Sequence, residues 1–175
     1  EDRPEDIFIL VNASTVELPN VEKYFDEVLA GKGKKMILWC LEMDTLRADL
    51  GLPGFPRKDI QWRFLSHFKS MIFIRQRDYS KSVAVAPFVV NYSGALFREY
   101  PGPWQCMVKQ DNGSLVCIAE QPDRYALGQL KDELLDVLNL AEEKGSTMEF
   151  LRRGRKFTTW WEDGDESEVS PNWRK

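Results

Sequence analysis

Two uninterrupted apolar runs open the chain, Ile7-Phe-Ile-Leu-Val11 and Met36-Ile-Leu-Trp-Cys-Leu41. Each has the length of a strand, and a continuous apolar run suits a strand buried on both faces, as in parallel sheets. Between them Val21, Phe25 and Val28 or Leu29 recur at helical spacing, with Asn20 as the candidate cap and Gly31 and Gly33 as the stop. Strand, helix, strand in this order predicts a right-handed parallel crossover. Asn12 to Thr15 follows the first strand, a place where open α/β sheets often hold ligands. Without a glycine-rich phosphate loop it reads as a connecting turn. Glu42 and Asp44 follow the second strand and, with no partnering histidine, read as loop and cap residues.

Further along, Asp44 to Leu50 predicts a short helix broken by Gly51-Leu-Pro-Gly-Phe-Pro56. Ile60, Phe64 and Phe68 step by four along a helix from Lys58 to Lys69, and Met71-Ile-Phe-Ile74 predicts a third strand. Val83 to Ala86 and Phe88 to Val90 read as one strand bulged at Pro87. Asp111-Asn-Gly-Ser114 fits a type I′ hairpin turn. Its register would pair Val108 with Cys117 and Cys106 with Ala119, leaving Cys106, Val108, Leu115 and Cys117 on one apolar face. Pro122-Asp123 introduces an amphipathic helix from Arg124 to Lys144, ended by Gly145, whose buried stripe is Leu127, Leu130, Leu134, Val137 or Leu138, and Ala141. The fold class is therefore α/β: a mixed sheet with a parallel βαβ part followed by an antiparallel hairpin, helices packed on its faces.

Composition narrows the function classes. The chain has 175 residues, is 43% apolar and 12% aromatic, and carries a net charge of -4. That is enough apolar residue for a core, and the acidic balance does not point to nucleic acid. One α/β domain is expected over residues 1–156, followed by a tail, 157–175, that is aromatic, then acidic and partly disordered. No apolar run reaches transmembrane length. The three cysteines, Cys40, Cys106 and Cys117, match no metal-binding spacing, and His67 is a lone histidine. Neither a cofactor nor a catalytic residue is expected. Charge is segregated, however. Arg57, Lys58, Arg63, Lys69, Arg75, Arg77 and Lys81 are opposed only by Asp59 and Asp78 within that stretch. Arg57, Arg63, Arg75 and Arg77 are thus candidates for docking an acidic partner or an anionic lipid surface. Trp160 and Trp161 in the tail are a second candidate contact.

The most restrictive stretch is Gly94-Ala-Leu-Phe-Arg-Glu-Tyr-Pro-Gly-Pro-Trp104-Gln105. Pro101 and Pro103 lack amide donors and bar Pro101-Gly102-Pro103 from a central strand. Ala95 to Glu99 has room for one helical turn before the chain straightens into a strand at Trp104. Phe97, Tyr100 and Trp104 are the aromatic anchors of the corner. Pro, Gly and aromatics together read as architecture, not as a ligand site.

The corner, preceded by Arg63-Phe-Leu-Ser-His-Phe68, resembles a plastid and cyanobacterial family catalogued as a domain of unknown function. The resemblance runs from Phe8 to Leu138. That family includes chloroplast factors needed to accumulate the photosystems, and it also occurs fused to a plastid adenylate kinase. Its fuller form begins with a further strand–helix unit, so the expectation is that this chain is part of the domain. The acidic N-terminus is unlike a transit peptide, so a plastid protein would be the mature form. The resemblance implies a non-enzymatic factor for photosystem I assembly, working by protein contact in the chloroplast stroma and peripherally bound to thylakoids. The other photosystem branch, helping to insert the inner antenna of photosystem II, is the alternative. A nucleotide-binding or enzymatic α/β domain is the alternative of another class.

Overall fold

The computed structural model describes residues 5–39, 56–57, 59–141, 157–158, 162 and 170–175. The chain that was expected to form one domain over residues 1–156 divides into two compact units. The first holds Glu1–His67 with Glu166–Ser170, and the second holds Phe68–Asp165 with Pro171–Lys175.

In the first unit, strand β1 (Ile7–Val11) pairs in parallel with β2 (Lys35–Trp39), Ile7 opposite Lys35 and Val11 opposite Trp39. The parallel strand–helix–strand unit expected from the apolar runs is present. Its connection begins earlier than Asn20. The Glu17 carboxylate accepts from the Ser14 amide at 2.7 Å, half of a capping box, and a 3-10 turn over Thr15–Glu17 leads into helix α1 (Leu18–Tyr24). A π-helical turn, Phe25–Leu29, ends before Gly31 and Gly33, both at positive φ as the two glycines led us to expect. Leu18, Val21, Leu29, Ile60, Phe64 and Leu65 are buried, and Phe25 meets Phe64 edge-on at 5.7 Å. Helix α2 (Asp59–Arg63) supplies Ile60 and a 3-10 turn over Leu65–His67 supplies Leu65, with Phe64 between them; the single helix expected there is shorter and tightens at its end. The stretch containing Glu42, Asp44 and the short helix expected after them lies outside the described residues, as does Cys40.

The second unit is an antiparallel sheet in the order β3-β4-β5-β6. The strands are β3 (Ile72–Ser82), β4 (Val89–Glu99), β5 (Trp104–Lys109) and β6 (Leu115–Gln121). The α/β class and both pairing types are as expected, but the parallel and antiparallel strands belong to separate sheets. Two local expectations are corrected. Ala95 to Glu99 is not a helical turn; it pairs with β3 on one side and β5 on the other, and two flanking ladders outweigh the local signal. Val83 to Phe88 is not a strand but the reversal between β3 and β4, closed by Val83 and Phe88 amide bonds and containing a cis Ala86–Pro87 peptide. Apolar Val and Ala look strand-like in either setting, whereas the polar residues from Arg75 to Ser82 conceal a long edge strand.

The second hairpin was expected with two turn residues and has a longer loop. Lys109 pairs with Leu115 and Met107 with Cys117, then a bulge at Cys106/Met107 restores the expected Cys106–Ala119 pair. Cys117 is consequently exposed while Cys106 is buried. Helix α3 (Leu127–Val137) is shorter than expected and covers one sheet face. Tyr92, Leu96, Trp104 and Cys106 from the strands meet Tyr125, Leu130, Leu134 and Leu135. Val137, a candidate for the stripe, is exposed, and its place is taken by Leu135 and partly by Leu138.

Gly94 sets how closely α3 approaches. A Cβ there would sit 2.5 Å from the Met107 carbonyl and 2.8 Å from both Leu134 methyls. Replacing Gly94 with Ala should therefore destabilise the chain by about 1–3 kcal/mol, read as a lower urea midpoint with unchanged slope. An unchanged midpoint would mean that the helix does not rest on this glycine.

Candidate functional site

Strand β3 alternates. Phe73, Arg75, Arg77, Tyr79 and Lys81 take one face and Ile72, Ile74, Gln76, Asp78 and Ser80 the other. The first set lies on the α3 side, because Arg75 is opposite Leu96 and Tyr79 opposite Tyr92, both core residues. β3 lies at the edge of the described sheet; Phe73 and Tyr79 pack partly against the core and Lys81 is buried, while Arg75 and Arg77 between them are half-buried. These two arginines line a small, shallow cleft that is open to solvent. Leu96, Arg124, Leu127, Leu130 and Glu162 line it as well. The start of α3 also lines it, through Ala126 and Leu127, so the positive end of the helix dipole faces the same space.

Beside the cleft is the corner. Tyr100–Pro101 is a cis peptide, the Gly102 amide donates to the Glu99 carbonyl at 2.8 Å, and the Tyr100 amide donates to the Met71 carbonyl at 2.7 Å. Of the three expected anchors, Trp104 alone is fully buried, at 0% exposure; Phe97 is half-buried and Tyr100 is 38% exposed. Tyr100 instead caps cations, with Lys69 Nζ 4.2 Å and the Arg98 guanidinium 5.3 Å from its ring centre. Trp104 has a guanidinium from Arg98 at 5.1 Å and one from Arg124 at 5.2 Å, while Phe73 meets it edge-on at 5.3 Å. Its indole N–H donates to the Arg174 carbonyl at 2.8 Å, and the same carbonyl accepts from the Arg124 amide at 2.9 Å.

Arg98 is only 3% exposed. Burial lowers its pKa, with the neighbouring Tyr100 acting in the opposite direction. Its Nε donates to the Gly102 carbonyl at 3.3 Å, and Nη1 has no hydrogen-bond partner. The charge is held by the two ring faces and a carbonyl, with no ion pair among the described residues.

The four candidate arginines separate. Arg75 and Arg77 share the cleft of the second unit. Arg63 belongs to the first unit, where Glu22 accepts from both its Nε and Nη2 at 2.7 Å and Asp59 pairs with its Nη1. The hydrogen bonds it donates to Glu22 are the main reason its pKa is raised. Arg57 is exposed in the first unit. The expected convergence of Arg63 with Arg75 and Arg77 is thus not seen within one unit, and Arg63 already spends its charge on two carboxylates. Trp160 and Trp161 lie outside the described residues. Sequence reasoning missed Arg124 and Trp173. Arg124 follows Pro122-Asp123, an entry to a helix, and reads as a terminal residue until the fold sets it opposite Arg75. Trp173, 8% exposed in a 3-10 turn over Pro171–Trp173, sits in a tail expected to be partly disordered; its ring centre is 5.8 Å from the Arg124 guanidinium. Among the described residues no group of three or more His, Cys, Asp or Glu is placed to hold a metal ion.

Cysteine reactivity gives a direct check on this geometry. Burial, with a smaller push from Glu133, raises the Cys106 thiol to about 12. Thiolate is the reactive form, so Cys106 should resist a maleimide at pH 8 while exposed Cys117 is modified. Peptide mapping by mass spectrometry reads this site by site. Raised folded-state values at Cys106 and at Tyr125, also about 12, mean the native state holds protons that the unfolded chain has released. Stability is therefore expected to fall as pH rises from about 9 towards 12. Equal labelling of both cysteines in the folded protein would contradict the buried position of Cys106.

No curated protein and no solved structure matches the chain. A family model described as a domain of unknown function (DUF1995) matches residues 2–132. The match takes in both sheets, the corner and the first half of α3, well over half of the sequence, and the chain belongs to that family.

Proposed function

We propose that this chain is a non-enzymatic auxiliary factor that works by protein contact, and that its task is photosystem I assembly at the stromal face of chloroplast thylakoids. The observation that carries the contact reading is the outward face of the parallel sheet. Ile7, Ile9 and Val11 on β1 alternate with half-buried neighbours, and Ile37 and Trp39 on β2 stand beside Ile9 and Val11 in register. Ile9 is 62% exposed and Trp39 56% exposed. Strands this apolar were expected to be buried on both faces; here one face is left open. A contiguous apolar row of this kind is what protein-binding surfaces present. Trp39 has the side chain most often found at the energetic centre of an interface.

The photosystem assignment rests on the likeness of the Ala95–Gln105 corner to the plastid factors described above. The placement of the protein at the membrane edge is consistent with there being no helix among the described residues long and apolar enough to cross a membrane. The inner-antenna branch of photosystem II is the second reading within that likeness. A nucleotide-binding domain is the reading of another class, suggested by the α/β architecture and the kinase-fused relatives.

A plant lacking the protein separates these readings by blue-native electrophoresis of its thylakoids. Loss of photosystem I complexes with photosystem II retained is the expected result; the reverse pattern would transfer the assignment to photosystem II. Complementation with Ile9→Asp/Trp39→Asp should fail although the variant accumulates, and full rescue by it would remove the apolar face from the account. Stabilisation by a nucleotide of roughly 2.7 kcal/mol at about 100 times its dissociation constant would favour the enzymatic class.

A further inference from the structure

We propose that Phe157 is a releasable latch on helix α3: its backbone carbonyl caps the helix, and its ring fills the notch that Gly128 leaves. The inference goes beyond the contact reading above and does not depend on it. Helix α3 starts without a side-chain cap. Its N-cap position is Ala126, an extended residue whose side chain has no oxygen, and alanine is among the poorest choices there. The Gln129 carboxamide accepts from the Ala126 amide at 2.8 Å, so one half of a capping box is in place. The missing half is an acceptor for the first-turn amides, which have no partner inside a helix. Phe157 supplies one: the Gly128 amide donates to the Phe157 carbonyl at 2.6 Å.

The ring accounts for the glycine. Gly128 is the second residue of α3 and its φ is not positive, so its backbone does not need glycine, and glycine is a poor helix former. What glycine provides is space. A Cβ there would lie 2.2, 2.5 and 2.6 Å from three atoms of the Phe157 ring, its nearest neighbours. Gly128 is buried while Phe157 remains 45% exposed, so the ring lies over the head of the helix and outside the core cluster. One hydrogen bond and one half-exposed ring make a small contact, of the kind that opens locally without global unfolding. The end of the chain is held separately, by the Trp104 indole and the Arg124 amide on the Arg174 carbonyl. The latch can therefore open while that clamp stays shut, which frees the head of α3 and leaves the sheet intact.

Amide exchange followed by NMR on the full chain reads the latch. In Phe157→Ala the Gly128 amide should exchange about tenfold or more faster than in the natural chain, while the amides of Arg124 and Leu134 keep their rates. An unchanged Gly128 rate would overturn the latch. So would a common acceleration of all three amides, which would make Phe157 part of the global fold and not a separate opening. The notch is tested by the sign of a urea midpoint shift. Helix propensity alone makes Gly128→Ala raise the midpoint. With the ring in the notch, Gly128→Ala should lower the midpoint of the natural chain and raise it when Phe157 is already alanine, a reversal that needs direct contact between the two residues. A higher midpoint in both backgrounds would show that the ring does not fill the notch. A lower midpoint in both, or a double variant that does not fold, would show that something other than Phe157 occupies it.

Discussion

The structure of the second unit depends on how Trp104 is held. It is the first residue of β5, immediately after Pro101-Gly102-Pro103, and its side chain is fully buried. An indole is large and carries one donor that must be satisfied when buried. Here the donor reaches the Arg174 carbonyl, which joins the end of the chain to the sheet. Arg98 and Arg124 place guanidinium groups near its ring, each worth about 0.5–2 kcal/mol depending on exposure. Removing the ring would therefore take away more than buried area. It would leave Arg98 buried with one of its two aromatic neighbours gone, and it would free Arg124 from its place beside the indole ring.

The sequence carried the Pro101-Gly102-Pro103 break, the parallel unit and the antiparallel hairpin, because each rests on local chemistry. Proline without a donor, glycine at positive φ and apolar runs of strand length all act within a few residues. What it did not carry was set by partners distant in the chain. Arg75 to Ser82 is too polar to look like a strand, and becomes one because β4 supplies a complete ladder of partners. Ala95 to Glu99 is helix-compatible alone and extended between two strands. The hairpin register slipped by one because the bulge at Cys106/Met107, invisible in the residue types, absorbs one residue. For the site, alternation put Arg75 and Arg77 on one strand face correctly. Arg124, almost fifty residues later in the chain, and the carboxylates that occupy Arg63 could be assigned only once the fold was known.

The two units present different chemistry. The first offers a row of aliphatic and indole side chains on an open sheet face; the second sets Arg75, Arg77 and Arg124 along one small cleft. On the proposed reading the apolar surface supplies the affinity for a partner.

The central claim is that sheet, corner, tail and cleft form one cooperative body clamped on Trp104. Native-state hydrogen exchange, following the Trp104 indole N–H together with the amides of Arg124 and of β4 and β5, tests it most directly. The account predicts that the indole and the Arg124 amide exchange only when the sheet opens, with the same free energy as the β4 and β5 amides. Rapid exchange of the indole from a chain whose sheet amides stay protected would show that the Arg174 contact frays on its own, and would contradict the clamp.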